Sequence, residues 1–109
     1  MEKEKMTRFG HSKFYELLDQ MAEIHSAKNH DYAGTKDPLA NLKCAERIDI
    51  EPWIGCWIRI QDKVSRVETF IRQGEYKVKD ESVKDTLLDL AIYALLDYIL
   101  YEERTQNED

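Results

Sequence analysis

The stretch DESVKDTLLDLAIYALLDYILY, residues 80–101, decides the fold, because it predicts a long helix that is apolar on nearly every side. Between Leu87 and Tyr101, apolar residues point in almost every direction around the helix axis. Such a helix lies at the centre of a fold or is shared with a second subunit. The stretch nevertheless carries four acids in its first half and Asp97 further on. Carboxylates on a largely buried helix need a metal ion, a cationic partner or open solvent.

The composition of the whole chain indicates one all-α domain over residues 1–109. Only four glycines and two prolines occur in 109 residues, which favours helices over a sheet with many turns. The net charge of −6 argues against direct binding of a nucleic-acid polymer, which requires a basic surface. The cysteines are too few for a disulfide framework, and nothing in the sequence resembles a signal peptide or a membrane-spanning run. We therefore expect a cytoplasmic protein, in the host cytoplasm if the chain is viral, that does not bind membranes.

The sequence predicts a helical bundle of about four helices. Helix starts are marked by Ser12 and by the pairs Asp37-Pro38 and Glu51-Pro52, and Gly74 marks a helix end. In the first helix, residues from Phe14 to His25 recur at the spacing of one buried face. The predicted helices cover approximately residues 12–28, 38–47, 52–73 and 80–104.

Three acids of the last helix, Glu81, Asp85 and Asp89, are each one turn apart. Like charges at this spacing repel each other, and a divalent cation would reverse the sign of the interaction. Mg²⁺, with Mn²⁺ as an alternative, would bind these carboxylates together with phosphate oxygens. The simpler interpretation is a solvated acidic face. We expect Asp97, two turns beyond Asp89, to meet solvent or a basic partner.

A basic strip formed by Arg59, Lys63 and Arg66 runs along the third helix beside its apolar stripe. These side chains either bind phosphate oxygens or form an exposed face of ion pairs, and the spacing fits both. Asp62 lies among them and would either join a metal site or pair with Arg66. Trp53 and Trp57, one turn apart, are interpreted as core or interface residues.

The segment KNHDYAG, residues 28–34, is predicted to be a loop that contacts the base or sugar of a nucleotide. Asn29 and Asp31 can form hydrogen bonds and Tyr32 can stack on a base, while Lys28 would reach a phosphate. The alternative is a loop held by its own Asx-turns. His25 is predicted to be a core residue, and the histidines do not show zinc spacing.

The order of AKNHDYAG, RIQDKVSR and DESVKDTLLDLAIYALL resembles a family of small phage and bacterial nucleotide-modification-associated domains. These are similar to the MazG-type all-α nucleotide pyrophosphohydrolases, and the resemblance extends from about Phe14 to Leu96. It implies a bundle that binds Mg²⁺ through helical carboxylates and cleaves nucleoside triphosphates to a monophosphate and pyrophosphate.

Carried over, the resemblance makes Asp85 and Asp89 metal ligands and catalytic residues. Glu81 would be a further ligand or orient the attacking water. The chain departs from the MazG-type pattern, because Thr86 replaces a glutamate and Asp62 is the only match in the first acidic block. The smaller number of carboxylates favours one Mg²⁺ over two.

Three functions follow from these observations. The first is an Mg²⁺-dependent nucleotide pyrophosphohydrolase, the second a non-catalytic module that binds or sequesters a nucleotide, and the third a helical interaction protein. The apolar last helix predicts a homodimer or homotetramer, against the alternative of a tight monomer with exposed leucines.

Overall fold

The computed structural model describes residues 8–32, 37–75 and 82–106, and in these ranges it contains helices and no strands. The predicted all-α fold is therefore confirmed. In chain order, the elements are α1 (Ser12–Tyr32), a first 3-10 helix (Ala40–Leu42), a second 3-10 helix (Cys44–Ile48), α2 (Pro52–Gln73) and α3 (Val83–Gln106).

The bounds of α2 agree with the prediction at both ends. Pro52 occupies the first helical position, where its missing N–H costs nothing. Gly74 follows the last residue with a φ of 79°, and its N–H donates to the carbonyl of Phe70 at 2.7 Å. This left-handed conformation is accessible to glycine and satisfies a carbonyl of the final turn.

Helix α1 is longer and less buried than the sequence predicts. It continues to Tyr32 instead of ending near Lys28, so Asn29 lies on a helix and the loop prediction is wrong for the residues up to Tyr32. None of the side chains described in α1 is buried, and Phe14 is 58% exposed. The segment with this apolar spacing is helical, as predicted, but the apolar face of α1 is largely exposed in the single chain.

The short helix predicted after Asp37-Pro38 is present as two 3-10 helices. The Asp37 carboxylate accepts from the N–H of Leu39 at 3.0 Å and from Lys43 Nζ at 2.6 Å, which draws the segment into tight turns. Leu39 and Leu42 are three residues apart, and both are buried. A 3-10 turn places such a pair on one side, which accounts for the helix type.

Helix α3 begins at Val83, because Ser82 caps it. The Ser82 hydroxyl accepts from the N–H of Asp85 at 3.0 Å. The predicted start near Asp80 and the acid Glu81 lie outside the described residues. At the other end, α3 continues two residues beyond Arg104 to Gln106.

The core lies where α2, α3 and the 3-10 segment meet. Leu39, Leu42, Cys56 and Leu100 are buried there, with Trp53, Tyr93 and Leu96 packed around them. The second 3-10 helix approaches α2 so closely that a Cβ on Gly55 would lie 2.8 Å from the Cβ of Ala45. Among the described helices, none is long and apolar enough to cross a membrane.

Candidate functional site

A small recess of about 100 Å³ lies between α1, the first 3-10 helix and α3. Its polar lining consists of His25, Lys28, Asn29, Asn41 and Asp89. The rest of the lining is apolar and includes core residues of the 3-10 segment and α3. Polar groups from three elements therefore converge at the edge of the core.

Asp89 forms ion pairs with one lysine from each of the other two α-helices. Lys63 Nζ of α2 lies 3.3 Å from Oδ2, and Lys28 Nζ of α1 lies 3.7 Å from Oδ1. The two lysines are thus distributed over both carboxylate oxygens. The Asp89 side chain is 32% exposed, so these ion pairs are only partly screened by water. One carboxylate and two ammonium groups leave a net positive charge beside the recess.

Lys63 is the more buried of the two lysines, with a side chain that is 17% exposed against 53% for Lys28. Its Nζ also lies 5.8 Å from the ring centroid of Tyr93, in the range of a cation–π contact. Lys63 is therefore held by the core, whereas Lys28 can leave Asp89 at little cost.

Asn29 fixes α1 to the segment that follows it. Its Nδ2 donates to the carbonyl of Pro38 at 2.5 Å. The structure thus brings Lys28 and Asn29 of the predicted contact segment to the recess. The side chains of Asp31 and Tyr32, predicted for the same role, lie outside the part of the chain that the structure describes.

The remaining predicted residues lie apart from the recess lining. Arg59 directs its Nη2 to within 3.7 Å of Cys44 Sγ, and Asp62 and Arg66 are exposed on α2. Asp85 is exposed and lines an apolar groove between α1 and α3. Of the predicted basic strip, Lys63 therefore makes the ion pair with Asp89.

The described residues offer few ligands for a divalent cation. Among them, no three histidine, cysteine or acidic side chains lie close enough to bind one metal ion together. Asp85 and Asp89 are neighbours on successive turns of α3. Glu81, the third predicted ligand, is outside the described ranges. Two carboxylates fit an Mg²⁺ that takes its other ligands from water and phosphate, and do not fit a closed protein cage.

A second, more open recess of about 510 Å³ lies along the contact between α2 and α3, on another side of the core. Half of its lining residues are aromatic, and Asp97 and Glu102 contribute carboxylates to it. Asp97 Oδ1 is buried and has no hydrogen-bond partner among the described residues. Burial raises the pKa of this carboxyl group above 3.8. Asp97 was predicted to meet solvent or a basic partner, and its Oδ1 meets neither among the described residues.

Sequence reasoning missed the ion pairs that bring together distant parts of the chain. Lys43 bridges Asp37 at 2.6 Å and Glu103 at 3.4 Å. Arg104 Nε lies 2.8 Å from Glu51, which is separated from it by 53 residues. No local pattern predicts the pairs with Glu103 and Arg104, because they depend on the packing of α3 against the 3-10 segment and the start of α2.

Comparison of the chain with known protein families, curated proteins and solved structures gave no match in any of the three. Function is therefore inferred from the residues at the recess, together with the resemblance of the three sequence blocks.

Proposed function

We propose that the protein is an Mg²⁺-dependent nucleoside triphosphate pyrophosphohydrolase, which forms a nucleoside monophosphate and pyrophosphate. The supporting observation is the convergence of Lys28 and Lys63 on Asp89 beside a recess with polar lining. The two ammonium groups could bind phosphate oxygens, and the carboxylate between them could bind a metal ion.

In this proposal, Lys28 and Lys63 bind the phosphates, and Asp85 and Asp89 hold the cation. Mg²⁺ would neutralise the charge on the phosphate oxygens when bound. Lys28 is half exposed and can move from Asp89 to a phosphate, which would free a carboxylate oxygen for the metal. Lys63, which the core holds in place, fixes the orientation of Asp89.

The size of the recess determines how a nucleotide would lie. A volume of about 100 Å³ accepts a phosphate-sized group, and ligand pockets usually measure roughly 300–1,000 Å³. The base and sugar would therefore extend over the surface towards Asn29 and the segment after it. We propose that a second copy, in a homodimer or homotetramer, provides the rest of the pocket.

The direct test incubates the purified protein with a panel of nucleoside triphosphates and Mg²⁺ and measures pyrophosphate release. We expect release by the parent protein and its loss in Asp89→Asn, which keeps the shape but removes the charge that both lysines contact. Asp19→Asn, an exposed change of the same type on α1, serves as the control and should retain activity. Equal turnover by Asp89→Asn and the parent would contradict the proposal.

A calorimetric titration of Mg²⁺ in the presence of nucleotide tests the metal ligands separately from catalysis. Asp85→Asn and Asp89→Asn should each weaken metal binding. Asp85→Asn should leave the metal-free fold as stable as the parent or slightly more so, because repulsion between neighbouring acids is relieved. Metal binding equal to that of the parent in both variants would reduce the carboxylates to a solvated face.

One observation favours a non-catalytic nucleotide-binding module as the second candidate. The charge of Asp89 is already offset by two lysines, so the recess can hold an anion without any cation. Under this alternative, a nucleotide should raise the melting temperature without Mg²⁺ and without release of pyrophosphate.

A further inference from the structure

The aromatic recess between α2 and α3 combines an apolar wall with a carboxylate that lacks a cation. It is lined by Trp53 and Trp57 of α2 and by Tyr98 and Tyr101 of α3, together with the carboxylates of Asp97 and Glu102. Trp57 is 51% exposed and Tyr98 is 69% exposed, so large aromatic surfaces are open to solvent. Such surfaces on a small protein usually mark a place where something binds.

The position of Asp97 identifies the charge of the ligand. No ion pair joins Asp97 to any of the described residues, and its Oδ1 is buried without a hydrogen bond. The Cys56 thiol lies close to Asp97 and also contacts the Tyr93 carbonyl at 3.7 Å, so the carboxylate has a weak neutral donor nearby but no cation among the described residues. Rotation about the terminal bond of Asp97 can present either oxygen to the recess. A cationic donor would offset the cost of this unpaired carboxylate.

The surrounding residues hold the aromatic wall in place. Trp53 packs edge-on against Tyr101, with ring centroids 5.2 Å apart, and its Nε1 donates to Glu51 at 3.1 Å. Arg104 pairs with the same Glu51 and lies 5.2 Å from the Tyr101 ring. Arg104 thus places a guanidinium over the Tyr101 ring without lining the recess itself.

We propose that this recess is a binding site for a small organic cation, namely a primary ammonium group on an apolar stem. The ammonium group donates to Asp97 and lies against the aromatic faces, and the stem lies between the tryptophans and tyrosines. A recess of about 510 Å³ has the volume of a small-molecule site. An ammonium that carries N–H groups fits better than a quaternary one, because Asp97 needs a donor. The site is separate from the recess at Asp89 and does not depend on the proposed nucleotide chemistry.

The chain contains its own reporter for this site, since its two tryptophans, Trp53 and Trp57, both line the recess. The experiment titrates the full-length protein with cyclohexylammonium, and in parallel with cyclohexanol and trimethylcyclohexylammonium, while tryptophan fluorescence is recorded. We expect a saturable change with cyclohexylammonium, weaker binding of the quaternary compound, and the weakest binding of the neutral alcohol.

The variant Asp97→Asn keeps the shape of the side chain and removes its charge. It should weaken cyclohexylammonium binding by about tenfold or more, the usual effect of losing a charge-assisted hydrogen bond. Asp19→Asn, which changes the same charge on exposed α1, should bind like the parent. Circular dichroism checks that both variants are folded.

Three results would overturn the proposal. The first is the absence of a fluorescence change in the parent, and the second is equal affinity of the parent and a folded Asp97→Asn. The third is binding of cyclohexanol as tight as that of the amine, which would make the recess merely apolar. If the amine does not bind, and the tryptophans become less accessible to an external quencher as the protein concentration rises, a second copy covers this face instead.

Discussion

Asp89 and Asp97 are the same residue type on one helix, two turns apart, and the structure gives them opposite surroundings. Asp89 has two lysines within 4 Å and contacts water. Asp97 has a buried oxygen that lacks a partner among the described side chains. Their roles therefore differ because of what α1 and α2 place beside them. The periodicity of α3 contains no such information.

The partly buried carboxyl group of Asp97, which has no cationic partner among the described residues, predicts an unusual dependence of stability on pH. Because burial raises the pKa of Asp97 in the folded state above 3.8, the folded protein binds its proton more tightly than the unfolded chain does. Stability should therefore fall, relative to Asp97→Asn, as the pH rises from 3.8 through this raised value. The pKa of Cys56 is raised to about 11, so its thiol stays neutral in that range.

Urea denaturation of the parent and of Asp97→Asn at a series of pH values measures this difference. We expect equal stability at the acid end, where both side chains are neutral, and greater stability of the variant near neutral pH. A parent that gains stability over the variant with rising pH would mean that Asp97 has acquired a cationic partner in solution. Asp37 has the opposite effect on the pH dependence of stability, because its hydrogen bond with Lys43 lowers its pKa. Both proteins contain Asp37, so its contribution cancels in the comparison.

At the scale of the element, Ser82 caps the start of α3. Ser82→Ala removes the acceptor for the N–H of Asp85 and should destabilise the protein by about 1 kcal/mol. For a domain of this size, the melting temperature would fall by about 4–8 °C. Ser82→Asp, which restores an acceptor, should regain most of the loss in a thermal melt. An unchanged melting temperature in Ser82→Ala would show that another group starts the helix.

The sequence predicts elements well where local chemistry determines them. Pro52 and Gly74 set the limits of α2 without help from the rest of the fold, and both limits are correct. The segment after Asp37 is helical, as predicted, but the sequence did not indicate the helix type. Its 3-10 turns depend on the contact of Lys43 with Asp37 and on the burial of Leu39 and Leu42.

The same distinction applies to the site. The sequence identified Lys28, Asn29, Lys63 and Asp89 as candidates, and the fold brings these four together. It could not separate Lys63 from its neighbours Arg59 and Arg66, because all three share the strip. The direction of each side chain depends on how α2 packs on α3, so the partner of Lys63 is known only from the structure.

At the scale of the whole molecule, the single chain leaves much apolar surface uncovered. Leu95 is 55% exposed and Ile99 is 40% exposed, on a helix predicted to be apolar on nearly every side. This exposed apolar surface supports the proposed assembly of two or more copies.

Light scattering at micromolar concentration should therefore give at least twice the monomer mass of 12.9 kDa. Leu95→Glu should dissociate or unfold the assembly, since an unpaired charge in an apolar interface is costly. Ile48→Glu introduces the same charge at an isoleucine that is 70% exposed on the second 3-10 helix, and should leave the mass unchanged. A parent protein of 12.9 kDa in solution would contradict the assembly.

The shallow attachment of α1 has a consequence for the order of events when the protein works. Because none of its described side chains is buried, α1 should unfold locally far more often than the α2–α3 pair, and its amide protons should exchange with deuterium first. Lys28 and Asn29 both belong to α1, so the recess at Asp89 exists only while this helix is docked. A ligand that binds both residues would slow the exchange along α1, and the helix would act as a latch that closes once the site is filled.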